Sequence, residues 1–344
     1  MEALVAQAIK DTTSLRKTSV SWKADEPVPQ SYYAFDLQTS SWNANSPSTH
    51  GAPSAKSSEV TSIAVYSWNI DFMLPFDEAR MKPALAHLHY LINAKSSPTT
   101  APVVFLQECK PEDLKTIAMT PWVRDHFYLT DIDHTNWATK HYGTTILIDS
   151  RLSVVSVFRV HYSKTRMDRD ALFVDVLFGS DDKKIRLCNT HLESMAFEPP
   201  FRPFQMQVVA RYLHEDSLHA GLVAGDFNAI QPFDRTLHVD HHNGLKDAFL
   251  ELGGEEDTEE GFTWGQQAAT KLRDQFGCSR MDKVYFCGRV KLTRFERFGQ
   301  DVFVDGEEER RAIVELGFEK PWVTDHLGVM AELEAQPLLE KAQI

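Results

Sequence analysis

The 344-residue chain is poor in the features that mark several protein classes. Its four cysteines, Cys109, Cys188, Cys278 and Cys287, form no CxxC pair and no zinc spacing, so neither a disulfide framework nor a structural zinc site is indicated. A reduced, intracellular setting, nucleus or cytoplasm, is the expectation. No apolar run approaches the roughly 18 residues of a membrane span, and the opening stretch MEALVAQAIKDTTSLRK carries acidic residues and no long apolar segment. A secreted or membrane-embedded protein is therefore not expected. Glycine and proline number only 16 each, which excludes collagen-like and low-complexity classes, and no internal repeat suggests a solenoid. Positive charge is scarce too: 49 acidic against 36 basic residues leave a formal charge of −13. That balance argues against a protein that coats duplex nucleic acid through a broadly basic surface, though not against a locally basic cleft.

What is present has a clear layout. Residues 39–58 hold nine Ser or Thr with Pro47 and Pro53, a composition too polar to offset its ordering entropy, and read as a linker. Upstream, Tyr32, Tyr33, Phe35 and Trp42 are too aromatic for a solvated tail and are expected to dock on the main domain. The expected domains are therefore an extension over 1–59, a catalytic domain over 60–335 and a tail over 336–344. Short apolar runs at 63–68, 103–106, 144–148, 154–160, 172–178, 185–188, 222–224, 284–286 and 327–333 predict strands. Helical spacing of Met81, Leu85, Leu88 and Ile92 predicts one helix, starting near Met81 or kinked at Pro83. A second helical stripe is Phe201, Phe204, Val208 and Tyr212. Many strands with few long helices predict an α+β protein whose sheets pack face to face. The acidic run Glu255–Glu260 reads as a solvated loop without catalytic part. Two basic islands, 151–170 and 271–297, are candidates for drawing in an anionic substrate.

The strand ends carry polar residues that the strands do not need. In chain order they are Ser67-Trp68-Asn69, Gln107-Glu108, Asn189-Thr190-His191-Leu192-Glu193, Gly225-Asp226-Phe227-Asn228, Arg280-Met281-Asp282 and Thr324-Asp325-His326. Singly each has a plain explanation, since Gly-Asp-x-Asn is an ordinary turn. Jointly, nearly every one follows a predicted strand, and functional residues gather on the loops at one end of such sheets. An Asn, four carboxylates and two imidazoles without a thiolate suit Mg²⁺, or Mn²⁺, better than Zn²⁺. The chemistry indicated is metal-assisted attack of water on phosphorus.

The set WN, QE, HLES, GDFN, RMD and TDH resembles the endonuclease/exonuclease/phosphatase superfamily over about residues 60–335. The stretches FLQEC, NTHLES and FTWGQ, the last ahead of RMDKVYF, are most similar to its tyrosyl-DNA phosphodiesterase 2 group. The resemblance implies a DNase I-like four-layer α/β/β/α sandwich with the site at one end. It implies Glu108 as the Mg²⁺ ligand, helped by Asn69, with Asp325 supporting the metal shell. Asp226 would orient and deprotonate the attacking water with Asn228 fixing its geometry. His326 would bond a phosphate oxygen, held in its protonated form by Asp282, and His191 would be a second phosphate donor. Trp264 would flank the cleft as a stacking surface for a base, with packing in the sheet as its alternative role, and Arg202 and Arg280 are candidates for phosphate contact, with ion pairing inside the protein as theirs.

Departures from that group lie in the substrate-reading loops. Asn228 is followed by Ala229, Ile230 and Gln231, where the group commonly has Leu-Arg with the Arg gripping the DNA end. The expected activity is a Mg²⁺-dependent phosphodiesterase at a nucleic-acid end, with a 5′-tyrosyl link as one form. A phosphatase or phosphodiesterase for a small or lipid phosphoester is the alternative, and a catalytically silent binding protein is disfavoured by the completeness of the Glu108, Asp226, Asn228, Asp282 and His326 set. No membrane and no obligate protein partner are expected.

Overall fold

The apolar runs form strands buried on both sides, so alternate residues feed different cores. The computed structural model describes residues 20–46, 59–95, 97–178 and 183–336. Its strands are β1 (Pro27–Pro29), β2 (Tyr32–Asp36), β3 (Ser41–Asn45), β4 (Ser62–Asn69), β5 (Thr100–Cys109), β6 (Phe127–Leu129), β7 (Gly143–Asp149), β8 (Ser153–His161), β9 (Asp170–Phe178), β10 (Lys183–His191), β11 (Ala220–Asp226), β12 (Lys246–Asp247), β13 (Asp282–Gly288), β14 (Val290–Phe298) and β15 (Gly328–Ala335). The longer helices are α1 (Asp77–Lys95), α2 (Pro111–Met119) and, after the short α3 (Pro121–His126), α4 (Arg202–Leu213). One sheet has the order β1-β8-β9-β10-β11-β13-β12 and the other β14-β15-β4-β5-β7-β6-β2-β3. Each contains one parallel pair, β10 with β11 and β4 with β5, which brings four carboxyl-terminal strand ends to the same edge of the sandwich.

Three apolar clusters separate four layers. Ile63, Val65, Phe105, Val174, Leu222 and Val329 fill the space between the sheets. On β4 the alternate residues Ala64, Tyr66 and Trp68 face the opposite way, against Leu85 and Leu88 of α1 and Leu114 of α2. On the other sheet Phe173, Val223 and Tyr285 pack beneath Met206, Val209 and Leu213 of α4. The α/β/β/α sandwich follows, and each predicted strand run lies in or at the edge of an observed strand.

Several expectations need correcting. The first helix starts at Asp77 and carries Pro83 inside it. Proline has no N–H to give the carbonyl of Ala79, and Asp305 N donates there instead at 2.9 Å. In α4 the buried face is Gln205, Met206, Val209, Ala210 and Leu213, while Phe204 of the predicted stripe is 47% exposed. The aromatic residues before position 46 do dock, but as strands of the sandwich. β1 pairs with β8 and β2 with β6, so one segment edges both sheets, and the domain does not begin at residue 60. Within the supposed linker Ser41–Asn45 is a strand; the rest of it, 47–58, and the tail over 337–344 lie outside the described residues. Part of each basic island is absorbed by acids: Arg159 is buried between Asp131 and Asp170 at 3.1 and 3.0 Å, Arg151 binds Asp149 at 2.7 Å, and Arg280 binds Asp247 at 2.8 Å.

Trp42 packs against the outer core and donates Nε1–H to Ala118 O at 3.0 Å. Trp42→Ala should cost about 2 kcal/mol from lost apolar burial and one hydrogen bond, read by urea unfolding. Unchanged stability would show that the β2–β3 hairpin merely lies on the surface.

Candidate active site

Strand register builds the centre. His191 on β10 is paired with Asp226 on β11, and Asp226 with Asp282 on β13, so three site residues form one row across three strands. Directly paired residues project to the same face. The neighbouring Gly225 has φ of +152° and a Cβ there would meet Thr190 O at 1.8 Å, so only glycine lets β11 lie this close to β10 just before Asp226. From the other sheet, β4 ends in Asn69 and β5 reaches Glu108. Glu108, Asn228 and Asp71 all have positive φ, 57°, 47° and 56°. Non-glycine residues rarely adopt this conformation and it costs of order 1–3 kcal/mol each. At Glu108 it coincides with a break in the pairing of β5 with β7 between Leu106 and Cys109.

Asp226 is the hub. It accepts from Asn69 Nδ2 at 3.0 Å and from the Asn228 backbone N–H at 2.8 Å, and His191 Nε2 lies 3.3 Å away. Burial works against its ionisation, but the His191 hydrogen bond and the charge of His326 hold its pKa below the usual carboxylate range. Arg169 Nη1 donates to His191 Nδ1. An arginine cannot accept, so the His191 proton sits on Nε2, facing Asp226 and, at 3.6 Å, Glu108. Burial and then Arg169 lower the His191 pKa, keeping that imidazole neutral.

His326 is of the opposite kind. Its Nδ1 lies 2.8 Å from Asp282 Oδ2, and its Nε2 is 3.7 Å from Asp325 and 3.9 Å from Asp226. Burial disfavours the cation, yet Asp282 and Asp325 raise its pKa well above the ordinary histidine value. With negative groups on both sides, the shared proton belongs to the imidazole.

A third group is acidic. Asp71, Glu108 and Asp325 each take one N–H donor, from Met73 N at 2.9 Å, Phe72 N at 3.0 Å and Trp264 Nε1 at 2.7 Å. Burial, then Asp325 and Glu108, push the Asp71 pKa well up, and burial together with Glu108 raises that of Asp325. Oxygen donors that repel one another in a buried site fit a hard divalent cation, which would relieve that repulsion. Asn69 Oδ1 accepts from Asp71 N at 2.9 Å while its Nδ2 donates to Asp226, so it links the acidic group to the hub.

Asn69, Glu108, His191, Asp226, Asn228, Asp282, Asp325 and His326 thus converge. Asp71, Glu108, His191, Asp226, Asn228, Trp264, Asp325 and His326 all line one cavity of about 1020 Å³. The arginines fare differently. Arg202 is buried, with its donors given to Asp234, Gln231 and the carbonyls of Glu193 and Met195; it braces the loop after β10 and has no free face for phosphate. Arg280 lines the cavity but is bound to Asp247 and Glu256, which also answers its candidate role with an internal ion pair. Glu256, from the acidic run read as solvated, is held by Arg280 and Lys283, which outweigh burial and bring its pKa to about 2. Asp71, Arg169 and Glu256 were missed. Asp71 has the signal of an acid just past a strand end, Arg169 lies within the basic island 151–170 with nothing to single it out, and Glu256 sits in an acidic run that looks solvated in sequence.

The model of the Endonuclease/Exonuclease/phosphatase family matches residues 41–326. The chain belongs to this family. It is accordingly a phosphoric ester hydrolase of the phosphodiesterase or nuclease type, with a DNase I-like fold. No curated protein matches it. Among solved structures it resembles TDP2 of Caenorhabditis elegans (22% identity, TM-score 0.59, covering 80% of this chain and 98% of that one). It also resembles D. rerio TDP2 complexed with a single-strand DNA product (19%, TM-score 0.59, 80% and 99%) and the human Nocturnin catalytic domain with bound sulfate (14%, TM-score 0.56, 80% and 95%). At these identities the likeness is one of fold. The family match begins at residue 41, the first residue of β3.

Two outcomes test this geometry. Because the folded pKa of His326 is raised, stabilisation by its pair with Asp282 is full below the unfolded histidine value and lost as pH rises through the folded one. Asp282→Asn should move the titration of the His326 ring protons, followed by NMR, to lower pH; an unmoved titration would show that Asp282 does not set the charge. Arg202→Ala should lower stability by about 3–5 kcal/mol, as removal of one partner from a buried ion pair does, in a denaturant titration. A stable variant with weakened substrate binding would restore Arg202 to the phosphate.

Proposed function

We propose that the protein is a divalent-metal-dependent phosphodiesterase, served by Mg²⁺ with Mn²⁺ as substitute, that hydrolyses a single phosphodiester at a nucleic-acid end. The observation that carries this reading is the pairing of a carboxylate held ionised, Asp226, with an imidazolium, His326, 3.9 Å apart in one cavity. Glu108 and Asp325, with Asn69 and Asp71 beside them, would hold the metal. Bound there, the ion would polarise the phosphoryl oxygen and steady the leaving oxygen.

The remaining chemistry falls to the chain. Asp226 accepts a hydrogen bond from the attacking water and takes its proton, while Asn228 N–H and Asn69 keep the carboxylate turned. As His326 shares its charge with a non-bridging phosphate oxygen, its pull on Asp226 weakens and the base strengthens. The neutral His191 would turn its Nε2–H from Asp226 to the same phosphate as that carboxylate takes up the water proton. Donors already in place need no reorganisation when charge develops on the phosphate, which is why they count heavily in the rate.

Action at an end rather than along a tract is supported by charge. Six acidic and four basic residues line the cavity. Arg280 and Lys283 are engaged by Glu256, Arg235 by Asp257, and Arg169 by His191. Such a cleft suits one phosphate beside one metal ion and offers little to a string of phosphates. The D. rerio TDP2 structure complexed with a single-strand DNA product supports a nucleic acid as the substrate class. The exposed Met73, Met195, Ile230 and Phe276 on the same cavity favour a second reading, a small phosphoester with an apolar group.

Asp226→Asn and His326→Ala should each lower kcat on the order of a hundred- to a thousandfold, Asp226→Asn with the smaller loss of melting temperature, since His326→Ala also leaves three buried carboxylates without their cation. A chelator should abolish turnover and Mg²⁺ restore it. The panel is a 5′-tyrosyl oligonucleotide, a plain oligonucleotide and a chromogenic diester. Turnover of the chromogenic diester alone would favour the second reading, and near-wild-type variants would sink the site assignment.

A further inference from the structure

We propose that the turn Asp240-His241-His242 is a binding site for a divalent transition-metal ion, Zn²⁺ foremost, separate from the carboxylate cleft. The donor atoms of these three exposed residues all lie within 4.8 Å of one another. Asp240 Oδ1 and His241 Nδ1 are 3.4 Å apart, and the ring centroids of His241 and His242 are 3.6 Å apart. Ligand atoms around a tetrahedral zinc with bonds of about 2.0–2.1 Å are about 3.4 Å from each other. One ligand edge is therefore already at its bound length, and rotation of exposed side chains closes the rest.

The backbone under the three side chains is held. Asp240 O accepts from Asn243 N at 2.8 Å and from Gly244 N at 3.0 Å. Asp240 Oδ1 accepts from His242 N at 2.9 Å, and Asn243 Nδ2 donates to Leu237 O at 2.7 Å. His214 Nε2, just past the end of α4, donates to Asn243 O at 2.7 Å. This anchored turn lets consecutive histidines reach one point, where an extended strand would send them to opposite faces.

The donor set decides the metal. Two imidazole nitrogens and one carboxylate oxygen favour Zn²⁺, Ni²⁺ or Cu²⁺ over Mg²⁺, whereas Glu108, Asp325, Asp71 and Asn69 of the cleft offer carboxylate and amide oxygens. The two sites therefore sort ions by hardness and can be filled independently. The site stands apart from the phosphodiesterase reading, since none of its ligands lines the cleft.

The test uses the full chain, stripped of metal and then given excess Mg²⁺ to occupy the carboxylates. Titrated with Zn²⁺ against a chromophoric chelator, the wild type should bind one equivalent more than the His241→Ala/His242→Ala double variant. Asp240→Asn should weaken that equivalent by roughly tenfold or more, the scale on which even outer partners of metal ligands act. With Cu²⁺ as probe, paramagnetic resonance should show nitrogen coupling from the two imidazoles, lost in the double variant. Equal zinc stoichiometry in the two proteins, or a copper spectrum unchanged by the substitutions, overturns the site. The substituted side chains are exposed, so the fold and phosphodiester turnover should be retained and the lost equivalent reports on the turn.

Discussion

The two sheets are pinned to each other by buried amides at the edge where the site lies. Asn69 of β4 reaches Asp226 of β11 at 3.0 Å, and Gln107 of β5 reaches Asn189 of β10 at 2.8 Å. Asn189 Nδ2 in turn donates to Leu106 O and Thr145 O. The apolar layer between the sheets supplies adhesion without direction and would tolerate a small slide. A buried amide left unmade costs about 1–3 kcal/mol, so these bonds fix where one sheet lies on the other. The distance between the acidic group on β4–β5 and the hub on β10–β11 depends on them.

Held in that register, the site is a balance of charges that would be costly apart. Burial penalises every carboxylate in it, and the protonated His326 offsets the cost for Asp226, Asp282 and Asp325 together. Arg80 works from below. Fully buried, it donates to the carbonyls of Ile70, Leu74, Pro75 and Val323, tying the loop that carries Asp71 and Phe72 to the segment that carries Thr324, Asp325 and His326. Backbone strain at Asp71, Glu108 and Asn228 persists because such contacts over-determine the loops.

Much of the architecture was legible before any coordinates. Alternating apolar runs located the strands, and the polar residues just past them located the site, because a residue at a strand end faces the loop edge whatever its neighbours are. The misreadings share a cause. Phe204 looks packed and Glu256 solvated by type and local spacing, and the two roles open to Arg202 look alike, but the surroundings of all three come from other segments of the chain. Phe204 lies on the open side of α4, Arg202 is claimed by Asp234, and Glu256 is claimed by Arg280 and Lys283. The hairpin before residue 46 reads as an appendage in sequence because its partner β6 lies far along the chain, Tyr33 pairing with Leu129.

The order of motifs in the sequence determined the family, the sandwich and the identity of the groups at its edge. Tertiary structure decided their states: which imidazole is charged, which carboxylate is held ionised, and which arginines are consumed inside the protein. The physical reason is that residue types and periodicity act locally, whereas protonation and ion pairing depend on burial and on charges a few ångströms away, brought there by strands distant in sequence.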